Sequence, residues 1–187
     1  FYAITTDLLE VSVPNYSHEI GSKKIGFIGV GLMGTGMVQR LLMAGHETHV
    51  VAHKNQAPIE QVRKMGAILH DNISDLAAKV EFIFLCLPSS SEVIKIAKKI
   101  ATAPSKVDLI IDCTTNAADS LTTIHEIFAN EKIEYLEAPL TGGVTQASEG
   151  QLGAILGGTE EAVEKAKPLL NACCSKIAHI GPVGMGA

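Results

Sequence analysis

Between Lys23 and Gly45 the chain reads KKIGFIGVGLMGTGMVQRLLMAG, and no other stretch constrains the fold as tightly. Lys23 to Ile28 is a short, largely apolar run that stops at Gly29-Val30-Gly31-Leu32-Met33-Gly34. From Met33 onward apolar residues return at helical spacing, through Met37, Val38, Leu41 and Leu42, until Gly45 breaks the pattern. This is the signature of a strand, a tight glycine turn and a helix. At such a junction each glycine of a G-x-G-x-x-G has a physical task. One makes the turn, one lets the backbone approach a pyrophosphate, and one lets the helix pack closely on the strand. The unpaired N–H groups at the helix start then face the phosphates. Turn glycines without a ligand are the bland alternative, and the strand-to-helix context favours a dinucleotide site.

The rest of the chain repeats that alternation. Strands are expected at 47–52, 67–69, 80–87, 107–112, 133–137, 151–156 and 176–180, with helices at 58–65, 92–100, 117–129 and 160–172 and another opened by Asn72 or Ser74. The run VEFIFLCL at 80–87 does not alternate, which suits a central parallel strand buried on both faces. The class expected is α/β, a Rossmann-type, doubly wound, mostly parallel sheet with helices on both faces. Residues 23–187 form that domain, and residues 1–22 match none of its elements and are read as an extension of unknown role.

Composition narrows the partners. With 187 residues, 47% of them hydrophobic, the chain can bury one substantial core. A net charge of -5 and the lack of a Lys/Arg block speak against nucleic acid or an anionic membrane as the main partner. No apolar run reaches the roughly 20 residues of a membrane span, and the N-terminus lacks the order of a signal peptide, so a cytoplasmic location is expected. Cys86, Cys113, Cys173 and Cys174 show no C-x-x-C spacing. Buried thiols are expected rather than disulfides or a metal site.

Three loops at strand ends carry candidate chemistry. After the second strand, His53 and Lys54 occupy the turn that meets the adenosine ribose. A carboxylate there would suit the 2′-OH of NAD, whereas basic residues suit the 2′-phosphate of NADP, so NADP is preferred over NAD. Two exposed polar loop residues are the plain alternative. Cys113-Thr114-Thr115-Asn116 brings hydroxyls to the same edge, where they reach a nicotinamide ribose or cap the next helix. Thr141-Gly142-Gly143 forms either an anion nest or an ordinary Gly-Gly turn. Ser89, Ser90 and Ser91 lack a G-x-S-x-G elbow and are read as helix-capping residues.

Taken together, GFIGVGLMGTGMVQRLLMAGH, CLPSSSEV, IDCTTNAADS and EAPLTGGVTQASEGQLGAILGG resemble, in order, the motifs of the β-hydroxyacid dehydrogenases. That group includes 3-hydroxyisobutyrate dehydrogenase, tartronate semialdehyde reductase and the glyoxylate/succinic semialdehyde reductases. More distantly they are similar to the nucleotide domain of 6-phosphogluconate dehydrogenase. The resemblance implies that Gly29, Val30, Gly31, Leu32, Met33 and Gly34 hold the pyrophosphate, that Leu87 and Pro88 lie against the cofactor, and that Thr115 meets the nicotinamide end. It also implies that Thr141, Gly142 and Gly143, standing for the family's Ser-Gly-Gly, hold a small substrate carboxylate. The family's Arg after the second strand is replaced by the run Ala52-His53-Lys54, so the NADP preference rests on Lys54 and His53.

In the family a Gly-x-Gly opens a long helix that carries the proton-transferring Lys into a helical domain. Here Gly184-Met185-Gly186 is followed by Ala187, the last residue. No catalytic residue is therefore assigned within the chain, which by itself is expected to be nearly inactive. Two readings follow. One is the NAD(P)-binding domain of an oxidoreductase that moves a hydride between NADP(H) and a small β-hydroxyacid or semialdehyde. The other is a non-catalytic NAD(P)-binding or interaction module, with a homodimer as a candidate assembly.

Overall fold

The computed structural model describes residues 21–51 and 55–186; the readings placed on residues 1–20 and on His53 and Lys54 lie outside the described residues. β1 (Lys24–Ile28) leads through the glycine turn into α1 (Leu32–Met43), and β2 (Glu47–Val51), α2 (Gln56–Lys64) and β3 (Ile68–His70) follow. Next come α3 (Ile73–Ala77), β4 (Phe82–Leu85), α4 (Ser90–Ala101), β5 (Leu109–Asp112), α5 (Ala118–Asn130) and β6 (Glu134–Glu137). The strands β3-β2-β1-β4-β5-β6 are parallel neighbours in that order. The reversal between β1 and β4 opens the crevice in which such sheets bind ligands.

β1, β4 and β5 are almost wholly buried because both faces of the sheet are covered. One face packs α1, α2 and α7 (Glu160–Leu170) against residues such as Phe27, Val50 and Ile111. The other packs α3, α4 and α5 against Ile83, Leu85 and Ile110. Phe27 and Phe84 stack across neighbouring strands at 5.9 Å between ring centroids.

The chain then departs from simple alternation. β7 (Leu140–Thr141) and α6 (Val144–Glu149) stand where the sequence reading had only a loop. β8 (Leu152–Gly157) runs antiparallel to β6 and β7 and parallel to β9 (Cys174–Gly181). A six-residue helix between glycines offers no full amphipathic period, so its sequence carries no signal. Its stability comes from packing. Gly36 of α1 leaves no room for a Cβ, which would sit 2.7 Å from Ser148 N and 2.9 Å from Ala147 C. Arg40 of α1 also donates to Ala172 O at 3.1 Å, tying the same helix to the approach of β9.

Candidate functional site

The glycine turn is shaped by contacts on two of its three glycines and by open space at the third. Gly29 has φ +108°, and a Cβ there would collide with the Cys86 carbonyl oxygen of the neighbouring loop. A Cβ on Gly34 would strike Gly29 O and the Phe27 ring. Around Gly31, by contrast, no atom lies within 4 Å of where a Cβ would stand. Gly31 is the N-cap of α1, so no side chain caps that helix, and its first turn holds no acidic residue. The first intrahelical bond runs from Thr35 N to Gly31 O at 2.9 Å. The amides of Leu32, Met33 and Gly34 precede it and find no acceptor among the described residues.

Four of the other helices that follow strands are closed by their own side chains. Asn55, Asn72, Ser89 and Thr159 accept from backbone N–H groups at the starts of α2, α3, α4 and α7. Of the serines read as capping residues, Ser89 caps α4, Ser90 Oγ accepts from Ala117 N at 2.9 Å, and Ser91 Oγ meets Ser89 Oγ. α1, α5 and α6 have no side-chain cap, and of these three N-caps Gly31 of α1 is the one that lines a groove, of about 920 Å³. That groove is lined by residues 28–31, 71–74 and 86–88, by Val51 and Asn55, and by the face of α4 that carries Ile96 and Lys99. Gly29, Val30, Gly31, Leu87 and Pro88 therefore share one cavity wall. A groove of that size is in the range of small-molecule sites, and a helix start with free amides and no side chain at its cap fits a pyrophosphate. The residues present thus fit a dinucleotide.

Thr115 is exposed at the β5 end and is not among the residues that line the groove. The buried Thr114 has a defined contact: its Oγ1 accepts from Leu87 N at 3.0 Å and joins the β4 and β5 loops. α5 is not capped by either threonine, since its N-cap is Ala117. Beneath this loop lies a buried polar cluster that the sequence reading did not identify. The Asp112 carboxylate receives Thr114 N at 2.9 Å, the Tyr135 hydroxyl at 2.8 Å and Asn116 Nδ2 at 2.8 Å. Burial nonetheless pushes the Asp112 carboxyl above its ordinary range, with these hydrogen bonds opposing. The only signal in the sequence was an Asp at the end of an apolar strand. Asn116 Oδ1 is buried without a partner among the described residues.

Burial raises all four thiols above the ordinary range. Cys86, on the groove wall, is pushed up to about 11 by burial and by Asp112, and Cys113, Cys173 and Cys174 are raised by burial as well. All four are free. Among the described residues no group of three or more His, Cys, Asp or Glu could hold a metal ion.

The Thr-Gly-Gly stretch joins β7 to α6. Thr141 and Gly142 are exposed, Gly142 has φ +121°, and Gly143 N donates to Gln146 Oε1 at 3.0 Å. The crossing of α6 over Gly36 brings this stretch to the same helix that opens with the glycine turn. Lys165 joins Asp108, Glu134 and Glu161 at 2.9, 2.8 and 3.1 Å, away from the groove. Its ammonium is held above the ordinary lysine range, chiefly by Glu134 and then Asp108.

The family model described as the NAD binding domain of 6-phosphogluconate dehydrogenase matches residues 24–181. A mitochondrial 3-hydroxyisobutyrate dehydrogenase of Drosophila melanogaster is 31% identical over 167 residues, covering 89% of this chain and 51% of the relative. The structure of the Mycobacterium tuberculosis 3-hydroxyisobutyrate dehydrogenase with L-serine superposes with a TM-score of 0.85 at 25% identity, over 89% of this chain and 57% of that one. A structure titled Psf3 in complex with NADP+ and 2-OPP superposes with a TM-score of 0.76 at 28% identity, over 87% of this chain and 58% of that one. The chain thus spans about half the length of the relatives it matches. With the motif order, the open helix start and the family match in agreement, the chain belongs to the β-hydroxyacid dehydrogenases and contains their NAD(P)-binding domain.

Proposed function

We propose that this chain is the cofactor-binding part of an oxidoreductase that transfers a hydride between NADP(H) and a small β-hydroxyacid or its semialdehyde. The observation that carries the reading is the uncapped start of α1, whose N-cap Gly31 lines the groove while Leu32, Met33 and Gly34 follow just beyond its lining. In the proposed roles, the amides of Leu32, Met33 and Gly34 hold the pyrophosphate, Gly31 admits it, and Leu87 and Pro88 form an apolar wall. Lys54 and His53 supply positive charge to the 2′-phosphate, and Thr115 meets the nicotinamide end. Thr141, Gly142 and Gly143 take the substrate carboxylate. The cofactor supplies the redox chemistry, and the chain supplies orientation and exclusion of water. The proton-transferring Lys and a helical domain are proposed to lie outside residues 1–187.

A fluorescence titration with NADPH and, separately, NADH tests this. Saturable binding that favours NADPH and weakens about tenfold in Lys54→Ala is expected, since one phosphate-directed charge-assisted bond is worth about 1.5–3 kcal/mol when desolvated and less in a solvated loop. Preference for NADH would overturn the cofactor choice, and failure to bind either would overturn the reading.

A further inference from the structure

Glu137 ends β6 with only 2% of its surface exposed. Its carboxylate is held by backbone alone, with Gly184 N–H donating to Oε1 at 3.0 Å and Gly186 N–H donating to Oε2 at 2.9 Å. Among the described residues no basic side chain pairs with it. A buried carboxylate without a cation is costly, and the two N–H groups it meets, which an apolar side chain would leave unmet, offset that cost. What the carboxylate adds is direction, because its two oxygens fix two peptide groups at once.

The surroundings are fitted to that hold. Gly157, which pairs with Glu137 across the sheet, has no room for a Cβ, which would run into Oε2. A Cβ on Gly186 would lie 2.9 Å from the same oxygen and 3.1 Å from Gly157 N. Gly184, at φ +98°, lets the backbone turn between the two anchored amides, and Met185 between them stays exposed. Gly158 N donates to Gly181 O at 2.9 Å, and Met185 N to Pro182 O at 3.1 Å, so the approach to the clasp is also tied down. Glu137 leads directly through Ala138 and Pro139 into β7, which carries Thr141.

Resting on the functional reading above, we propose that Glu137 is a positioning residue. By gripping Gly184 and Gly186 it sets the path of the backbone past β9 relative to the Thr141–Gly143 stretch, and so registers the proton-transferring group of the whole protein against the reacting carbon. Groups that must be placed to within a fraction of an ångström need such a locked support.

The test compares wild type with Glu137→Gln and Glu137→Asp in the whole gene product, reading kcat and KM for NADPH-dependent reduction of succinic semialdehyde. Glu137→Gln turns one acceptor into a donor facing an N–H. It is expected to lower kcat about 10- to 100-fold while the Kd for NADPH stays within about twofold. A folded Glu137→Gln protein with kcat within twofold of wild type would overturn the proposal, and Glu137→Asp carries the test if Gln prevents folding. In the 187-residue chain, amide hydrogen exchange at Gly184 and Gly186 is expected to speed at least tenfold in Glu137→Gln, with β5 amides unchanged. Unchanged exchange at the two glycines also overturns the proposal. A wild-type protein with no nicotinamide-dependent turnover would sink the functional reading, and the exchange experiment would still decide whether Glu137 grips the segment.

Discussion

At the head of α1 three amides find no acceptor among the described residues, whereas at the ends of β5 and β6 the chain meets its own donors with the buried carboxylates of Asp112 and Glu137. Both regions lie on the carboxyl edge of one sheet, a few strands apart. Donors at a helix start facing an open groove cost little while water serves them, and they keep an anion site available. Donors under a packed loop must be met by protein, and once met they make that loop rigid. One part of the edge leaves its donors open and the other uses them to hold its loops in shape.

The sharpest test of that difference lies within the glycine turn. Gly29→Ala should destabilise the fold by about 3 kcal/mol or more, because it forces an unfavourable φ and a clash with Cys86 O. Gly31→Ala should cost about 1 kcal/mol or less, since space is open there, yet weaken NADPH binding at least 30-fold. Denaturant titration and cofactor fluorescence on the two variants separate the roles. Equal losses of stability would break the contrast.

On the closed side, Asp112→Ala should cost about 2–3 kcal/mol by orphaning the Tyr135 hydroxyl and Thr114 N and leaving Asn116 Nδ2 only its 3.4 Å bond to Thr114 O, with little direct effect on the groove. The pH dependence carries a definite sign. The folded state raises the Asp112 carboxyl above its ordinary 3.8, so between that value and the raised one the native chain binds more protons than the unfolded chain. Stability from this group is full below about 3.8 and is lost as pH rises through the raised pKa. Asp112→Asn should remove that downward slope in denaturation midpoints measured from pH 4 upward, and an unaltered slope would assign it to another group.

The smallest effect is expected at Lys165, which joins α7 to Asp108 and Glu134 with 30% of its side chain exposed. Lys165→Met should cost about 1 kcal/mol at low salt, and less at 1 M salt, because partly exposed ion pairs are screened. A salt-independent loss would point to packing rather than charge.

What could be read from residues alone follows from how local each signal is. The runs at β1, β4 and β5 were legible because a strand buried on both faces must be apolar at every position, whatever its neighbours. The turn at Gly29 to Gly34 was legible because its backbone geometry and close packing admit little but glycine. Motif order likewise carried the family. α6 was not legible, since a single turn and a half of VTQASE is stabilised by Gly36 of a distant helix rather than by its own pattern. The resemblance singled out Thr115, whereas local pattern gave no reason to expect that Thr114 is the hydroxyl the Leu87 amide meets.

Sequence alone thus determined the strand, turn and helix that open the fold, the doubly wound class and the absence of a side chain at Gly31, all of which rest on backbone sterics and short-range periodicity. Tertiary structure alone decided that Asp112 is sealed beneath the β5 loop, that Lys165 is drawn into three carboxylates, and that Glu137 grips residues nearly fifty positions away. Partners so far apart in the chain share no local period, and only the packed sheet brings their donors and acceptors within bonding distance.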